Sequence, residues 1–311
     1  GPGAHRSVFF TLKTGELFSR LIDIGKIIIT VYAVISIICF CLLMLSGAPI
    51  FESFCLSLSA VATGGLAPRS GPLYLYISNL GGVILAVTCL LGAVNISLLW
   101  DIARKRNLQA FVDAARNVES RGMFVMIGLI ILLGLFYGGF SHLHTFIVEA
   151  AFIVSTAGYD YHVIGVDILR PSVLMAFALI GGSALSTAGG IKIIRMLLLL
   201  RHLRTDLDRM SHPLRVRPVR FQGRIIEDKA FLSIWMYFLG YTLVFAGGVF
   251  ALGGSGLYFP HAVAASASAL SNMGPLLTTS YPEFSYAQMS PVSLGMSAII
   301  MLLGRVEVLA A

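Results

Sequence analysis

Ser155-Thr156-Ala157-Gly158-Tyr159 interrupts an apolar run where a membrane-crossing segment would simply continue, and replaces it with small, hydroxylated, glycine-bearing chain. Two other stretches share the pattern: Ala62-Thr63-Gly64-Gly65-Leu66 and Ser271-Asn272-Met273-Gly274-Pro275. Aligned on Gly65, Gly158 and Gly274, each has Thr or Asn two residues before the glycine and Leu, Tyr or Pro just after it. The glycines lie 93 and then 116 residues apart, and self-similarity at so long a period signals a repeated architecture.

Each turn ends a short apolar segment: Ile50 to Ala62, Thr145 to Thr156, and Ala262 to Asn272. A helix needs about 20 apolar residues to cross a bilayer, so these segments must enter and leave by one face. Longer apolar runs flank them, namely Ile27 to Leu45 with Leu73 to Trp100, Met123 to Phe140 with Ile168 to Leu200, and Phe231 to Leu252 with a run from Val292. Basic chain collects between these groups, around Lys13, Arg20 and Lys26, at Arg104-Lys105-Arg106, and from Arg201 to Lys229. Basic segments favour the cytoplasm, so the short segments dip in from the outer face.

The expected fold is therefore an all-α polytopic membrane protein built of span, re-entrant pore helix, span units. The units divide the chain into a cytoplasmic N-terminal segment (1–26), a first pore unit (27–106), a second containing a broken helix (107–204), a basic cytoplasmic loop (205–229) and a third pore unit (230–311). In the basic loop, Arg215 to Arg220 alternates apolar residues with Arg, and Gln222-Gly223 offers a turn before Arg224-Ile225-Ile226. That pattern suits either a short β-hairpin or a solvated loop.

Composition agrees with a membrane protein. The 311 residues are 57% hydrophobic and 12% charged, with a mean hydropathy of +0.87; a soluble domain carries about twice that charge. The net charge of +7 follows from topology, so no nucleic-acid partner is expected. Cys39, Cys41, Cys55 and Cys89 lie in apolar surroundings without metal-ligand spacing and read as small buried hydrophobes. Gly1 stands where an initiator Met would, and the last apolar run stops at Ala311, so a fragment is expected.

Irregular chain at membrane depth survives only when buried in protein or lining a watery path. Three turns around one axis meet that condition, because their carbonyl oxygens can replace the hydration shell of an alkali cation, as in the T-V-G-Y-G loops of potassium channels. Thr63-Gly64-Gly65, Thr156-Ala157-Gly158 and Asn272-Met273-Gly274 are the expected filter walls, with potassium at the backbone of Gly65, Gly158 and Gly274. Glycine suits them because such a turn calls for backbone angles that a Cβ resists. Each short helix points its partly negative C-terminal end at the same axis. Glu52 and Glu149 are expected near the outer helix starts, capping the dipole or drawing ions to the mouth. Close helix packing is the plainer account of any one such glycine, but not of three in register.

A second signature sits inside the longest apolar run: Gly181-Gly182-Ser183-Ala184-Leu185-Ser186-Thr187-Ala188-Gly189-Gly190-Ile191-Lys192. Its glycines and hydroxyls unwind a helix, and a movable gate beneath the filter is the functional reading. A phosphate loop is not matched, since Gly190 is followed by Ile191 and no Ser or Thr follows Lys192. Arg305 lies in the last apolar run, where a charge needs a partner. Glu307 and the carbonyls of the 181–190 loop are the two candidates. The histidines His142, His144, His162 and His261 fall near outer span ends, and the i, i+2 spacing of His142 and His144 keeps them off one helical face. A membrane-embedded enzyme is thereby disfavoured, and a non-conducting accessory subunit remains an alternative.

In these stretches the chain resembles the Trk/Ktr/HKT superfamily of potassium transporters, and most of all its bacterial Trk-type potassium-uptake membrane subunit. The resemblance rests on Thr63-Gly64-Gly65-Leu66, Ser155 to Tyr159, the run from Gly182 to Arg195, Ser271 to Pro275, and Gly304-Arg305-Val306-Glu307. It implies four units around a pseudo-fourfold pore, of which the second, third and fourth are present here and the first is lacking. It also implies that the 181–190 loop gates the pore against Arg305, and that potassium is the substrate with no bound cofactor. The implied partners are membrane lipid, a second copy in a homodimer, and a cytosolic nucleotide-binding regulatory subunit, in a bacterial inner membrane.

Overall fold

The computed structural model describes residues 14–305 except 70, 106, 162–169, 212–219, 222–223 and 226–227. The first unit opens with helix α1 (Thr14–Leu45), which starts well before the apolar run at Ile27. Gly47, in a left-handed conformation, turns the chain, and Pro49 leads into α2 (Ile50–Val61). At 12 residues α2 is about 18 Å long, too short for a hydrocarbon core of about 30 Å. The chain returns through α3 (Asn79–Ala93), whose first turn is capped by Ser78 accepting from the Gly81 N–H.

The expected continuous span from Leu73 to Trp100 is not formed. Leu73–Leu75 is a single 3₁₀ turn, and after α3 the chain bends by 104° into α4 (Ile96–Lys105). The cause is local: Val94 is extended, and Asn95 places its side-chain oxygen where the Ser97 N–H would otherwise lack an acceptor. Apolar run length alone carries no sign of this elbow. α4 and the next helix, α5 (Leu108–Arg116), are amphipathic and bear Arg104, Lys105 and Arg116.

The second unit contains α6 (Val118–Gly138), α7 (Leu143–Val154) and α8 (Pro171–Ala178), the last with proline at its first position, where no N–H is needed. Its long apolar run is broken near the middle. The two-residue strands β1 (Ile180–Gly181) and β2 (Ile191–Lys192) pair in parallel, Ile180 with Ile191, and hold the 182–190 loop between them. Helix α9 (Ile193–Ser211) carries the chain onward. Of the suggested hairpin, Arg220–Phe221 and Arg224–Ile225 pair antiparallel as β3 and β4, while its turn and Arg215 to Val219 lie outside the described residues.

The third unit contains α10 (Asp228–Gly254), α11 (Phe259–Ser271), the one-turn α12 (Leu276–Ser280) and α13 (Pro291–Arg305). α11 is exposed at Phe259 and Pro260 and largely buried from Ala262 on, where it is nearly all small: Ala262, Ala264, Ala265, Ser266, Ala267, Ser268 and Ala269. Small side chains let α10 and α13 approach its backbone closely.

Among the described residues, three helical segments, Ile22–Leu45, Val118–Gly138 and Phe231–Gly254, are long and apolar enough to cross a membrane, and the α3–α4 pair adds a fourth if it is counted as one bent span. Their outward faces carry large apolar side chains, such as Ile29 and Ile37 on α1, Phe136 on α6 and Phe250 on α10, which suit a hydrocarbon surround. The protein is a helical membrane protein. Among the described residues two large apolar cores lie inside it, one joining Cys39, Leu56, Leu85 and Cys89 to Phe152 and Tyr159 and the other joining α6–α9 to α10–α13, and a small third joins Leu198 to Phe231. Of the four free cysteines only Cys39 and Cys89 are buried. Cys41 is exposed and Cys55 half-buried, so the uniform burial expected for them is not found.

Candidate functional site

Each of the three short helices is followed by a left-handed residue, and the bond that closes the turn runs five residues back in the first and third and six in the second. Thr63, Thr156 and Asn272 have positive φ, at 49°, 57° and 55°. The Gly64 N–H reaches back to the Ser59 carbonyl at 2.9 Å, Gly158 to Phe152 at 3.0 Å and Met273 to Ser268 at 3.0 Å. This is the left-handed helix stop that glycine or Asn usually provides. A β-branched threonine in that conformation is a conformational outlier, and such outliers gather at functional sites. Sequence pattern placed the backbone demand on the glycines and missed that the residue two before shares it.

The glycines themselves are not equivalent. Gly65 and Gly158 have φ of 65° and 66°. A Cβ on Gly65 would collide with the Ala157 carbonyl oxygen, and one on Gly158 with the Met273 side chain. Gly274 has no positive φ, and a Cβ there would meet nothing within 4 Å. Pro275 follows it and leads directly into α12. The expectation that the turn demands glycine thus holds at Gly65 and Gly158 and fails at Gly274. The same close approaches set the neighbours: the first turn abuts the second, and the second abuts the third.

Polar side chains hold the turns. Ser59 accepts from the Leu66 N–H at 2.9 Å and from the Tyr159 hydroxyl at 2.6 Å, tying the second turn to the first helix. Ser268 donates to the Met273 carbonyl at 2.8 Å, and Tyr286 donates to the Gly274 carbonyl at 2.9 Å. Glu52 is buried in the first turn of α2 and pairs with Arg69, which fits a capping carboxylate. Glu149 is buried in the middle of α7, not at its start, so the capping role expected for it is wrong. The helix begins at Leu143, two residues before the expected start at Thr145.

Beneath the turns lies the glycine-rich loop. Gly189 donates to the Thr156 hydroxyl at 2.7 Å, and a Cβ on Gly189 would strike the Ser271 carbonyl. The Thr187 hydroxyl lies 3.0 Å from the carbonyls of Val61 and of Gly92, and the Thr63 hydroxyl donates to it at 3.2 Å. The loop therefore touches the end of every short helix. Two structural breaks also complement each other here. The α3–α4 elbow frees the carbonyls of Gly92 and Ala93, and these accept from the N–H groups of Thr187 and Ser183 at 3.1 and 2.9 Å. Buried backbone groups need such partners.

Charged groups close the arrangement. Arg305 donates to the Thr187 carbonyl at 2.9 Å. Lys192 donates to the Ala188 carbonyl and lies 3.4 Å from the Ser186 hydroxyl. Of the two partners expected for Arg305, the loop carbonyl is seen, and Glu307 lies outside the described residues, as does His162. Gly181 and Gly190 form the neck of the loop, where a Cβ on either would meet the other strand's backbone. Gly182 packs on the Ala93 carbonyl.

The profile of the TrkH cation transport protein family matches residues 8–311. The chain belongs to the TrkH family. Among curated relatives it is 27% identical over 304 residues to the Trk system potassium uptake protein TrkG of Escherichia coli (strain K12), covering 95% of this chain and 62% of that protein. It is 28% identical over 303 residues to TrkH of the same organism, covering 96% of this chain and again 62% of the relative. The crystal structure of the potassium transporter TrkH from Vibrio parahaemolyticus superposes with a TM-score of 0.84 at 25% identity, over 94% of this chain and 64% of that one. The chain thus spans less than two thirds of the length of these TrkH-family relatives.

Within this TrkH-family fold, the sequence pattern passed over several residues that hold the site: Ser59, Ser268, Tyr286 and Glu119. Ser59 and Ser268 carried a usable signal, since each lies six residues before its glycine. Tyr286 and Glu119 belong to other elements and carried none.

Proposed function

We propose that this chain forms most of the wall of a potassium-conducting pore in a bacterial inner membrane and that the whole protein takes up potassium. The observation that carries the reading is the meeting of three left-handed helix stops, each closing a re-entrant helix, directly above one glycine-rich loop that hydrogen-bonds to them. A cation descending from the outer face would shed water to the carbonyl oxygens of residues 63–65, 156–158 and 272–274. A carbonyl has two lone pairs, so the hydrogen bond from Ser268 fixes the direction of the Met273 oxygen and leaves it able to face an ion, while the Gly274 oxygen has Tyr286 at 2.9 Å and Ser268 at 3.2 Å. The partly negative ends of α2, α7 and α11 favour that ion.

Residues 181–190 then act as the gate. The loop lies across the lower side of the turns, and Arg305 both fastens it and places a positive charge against a passing cation. The relatives named above are potassium uptake proteins and a potassium transporter, which supports potassium as the substrate. A homodimer and a cytosolic nucleotide-binding subunit acting on the helices α4, α5 and α9 belong to the same reading. The test is rubidium uptake by the full-length protein in cells stripped of other potassium systems. Saturable uptake that discriminates against sodium is expected. Its absence, with the protein present in the membrane, would favour a non-conducting accessory subunit.

A further inference from the structure

Glu119 is a buried carboxylate in the first turn of α6, and neither the filter nor the Arg305 latch uses it. Its Oε2 accepts from the Ala184 N–H at 3.0 Å. Asn95, at the α3–α4 elbow, lies beside this carboxylate, and Lys192 is near enough for its opposite charge to act on it. Lys192 in turn holds the far side of the same loop through the Ala188 carbonyl. The segment from Ala184 to Ala188 is thus gripped at one end by an acid and at the other by a base that attract each other.

The position of Glu119 is set by the end of α5. Asn117 caps α6 by accepting from the Glu119 N–H at 3.1 Å, and its own N–H closes the end of α5 on Ala114 at 3.3 Å. One residue therefore ends the amphipathic helix α5 and starts the helix that carries Glu119. α4 reaches the loop directly, since the Ile96 N–H donates to the Leu185 carbonyl at 3.3 Å. A push on the α4–α5 pair has two rigid routes into the loop.

We propose that Glu119 is a positioning residue that latches the loop opposite Arg305 and couples α4 and α5 to it. This rests on the gating role given to the loop above. A force that displaces α5 withdraws the carboxylate from Ala184, and the loop is then held without it, through Ser183, Leu185, Thr187, Gly189 and Lys192. A hydrogen bond to a charged group is strong enough that its loss should shift the resting balance of the loop about tenfold or more. Glu119→Gln keeps an acceptor oxygen without the charge and should fall between the parent and Glu119→Ala.

The test uses the full-length protein in membranes, with two readouts. In rubidium uptake normalised to membrane protein, Glu119→Ala should raise the maximal rate several-fold and leave half-saturation and sodium discrimination unchanged. In the second, Leu185→Cys is placed in a background without the four native cysteines and labelled with a membrane-impermeant maleimide from the cytoplasmic side. Adding Glu119→Ala should raise the labelling rate roughly tenfold. Labelling does not depend on conduction, so it judges the latch even if the parent takes up no rubidium, a result that would count against the pore alone. Parental labelling in Glu119→Ala, alongside faster labelling in Arg305→Ala, would overturn the latch. So would uptake that falls only in proportion to membrane content. If Glu119→Ala does not reach the membrane, Glu119→Gln labelling at the parental rate would also overturn it.

Discussion

The guanidinium of Arg305 donates to the Thr187 carbonyl at 2.9 Å across 118 positions of sequence. The same Thr187 carries a hydroxyl within 3.0 Å of the last carbonyl of α2 and of a freed carbonyl of α3. One loop residue thus joins all three units at the level just below the turns. Arg305→Ala removes a charged hydrogen bond, which contributes about 1.5–3 kcal/mol. Faster uptake at low external rubidium is expected, by roughly tenfold at the lower end of that range, with Arg305→Lys in between. Unchanged initial rates in both variants would remove Arg305 from the gate.

The three glycines should respond differently to alanine. At Gly65 and Gly158 the left-handed backbone alone costs about 1–2 kcal/mol, and the added methyl also strikes Ala157 or Met273. Gly274→Ala meets neither obstacle. Uptake assays should therefore show strong loss of rate or selectivity for Gly65→Ala and Gly158→Ala and near-parental behaviour for Gly274→Ala. Equal loss at all three would mean that the turns are more alike than their backbones indicate.

Tyr286→Phe leaves the Gly274 carbonyl with Ser268 as its remaining donor, 3.2 Å away. A neutral hydrogen bond contributes about 1 kcal/mol, so a change of about fivefold in the rubidium-to-sodium ratio is expected, with membrane content unchanged. Burial pushes the Tyr286 hydroxyl above its ordinary value, while its hydrogen bond with Ser268 pulls less strongly the other way. An acid whose pKa is raised keeps its proton as pH rises through the ordinary tyrosine range near 10. The donor is therefore present throughout pH 6 to 9, and selectivity measured across that interval should stay flat.

Thr156→Val keeps the shape of the side chain and deletes the acceptor for the buried Gly189 N–H. An unmet buried donor costs about 1–3 kcal/mol. The purified protein should unfold several degrees lower, with Thr156→Ser close to the parent. A Val variant as heat-stable as the parent would show that the loop does not hang on this hydroxyl.

The unit pattern was legible because burial in lipid forces long apolar runs and short helices stand out against them. The interruption at 181–190 was legible for the same reason, since glycine and serine are conspicuous in such a run. The elbow at Val94 was not, because Asn95 acts through one capping bond inside chain that is apolar on both sides. The left-handed threonines at 63 and 156 contradict local preference and follow only from packing against neighbouring units. Glu149 was misplaced because the helix starts two residues earlier than the run suggested, which puts the carboxylate at its seventh residue, in a buried middle. Glu119 and Tyr286 act on backbone 65 and 12 residues away, distances at which pattern carries no information.

The elbow and the loop have a consequence for how the protein is made. Ala93 and Gly92 offer their oxygens only when α3 is bent, and Ser183 and Thr187 have those oxygens as their backbone acceptors. A ribosome delivers residues 27–105 before 181–192, so the bent helix is in the membrane when the loop arrives. The first unit is then a template on which the second completes its shape, and the order of synthesis matches the order of dependence. Separating the two units onto different messages, with the second made first, should leave residues 183–188 open to protease until the first is supplied.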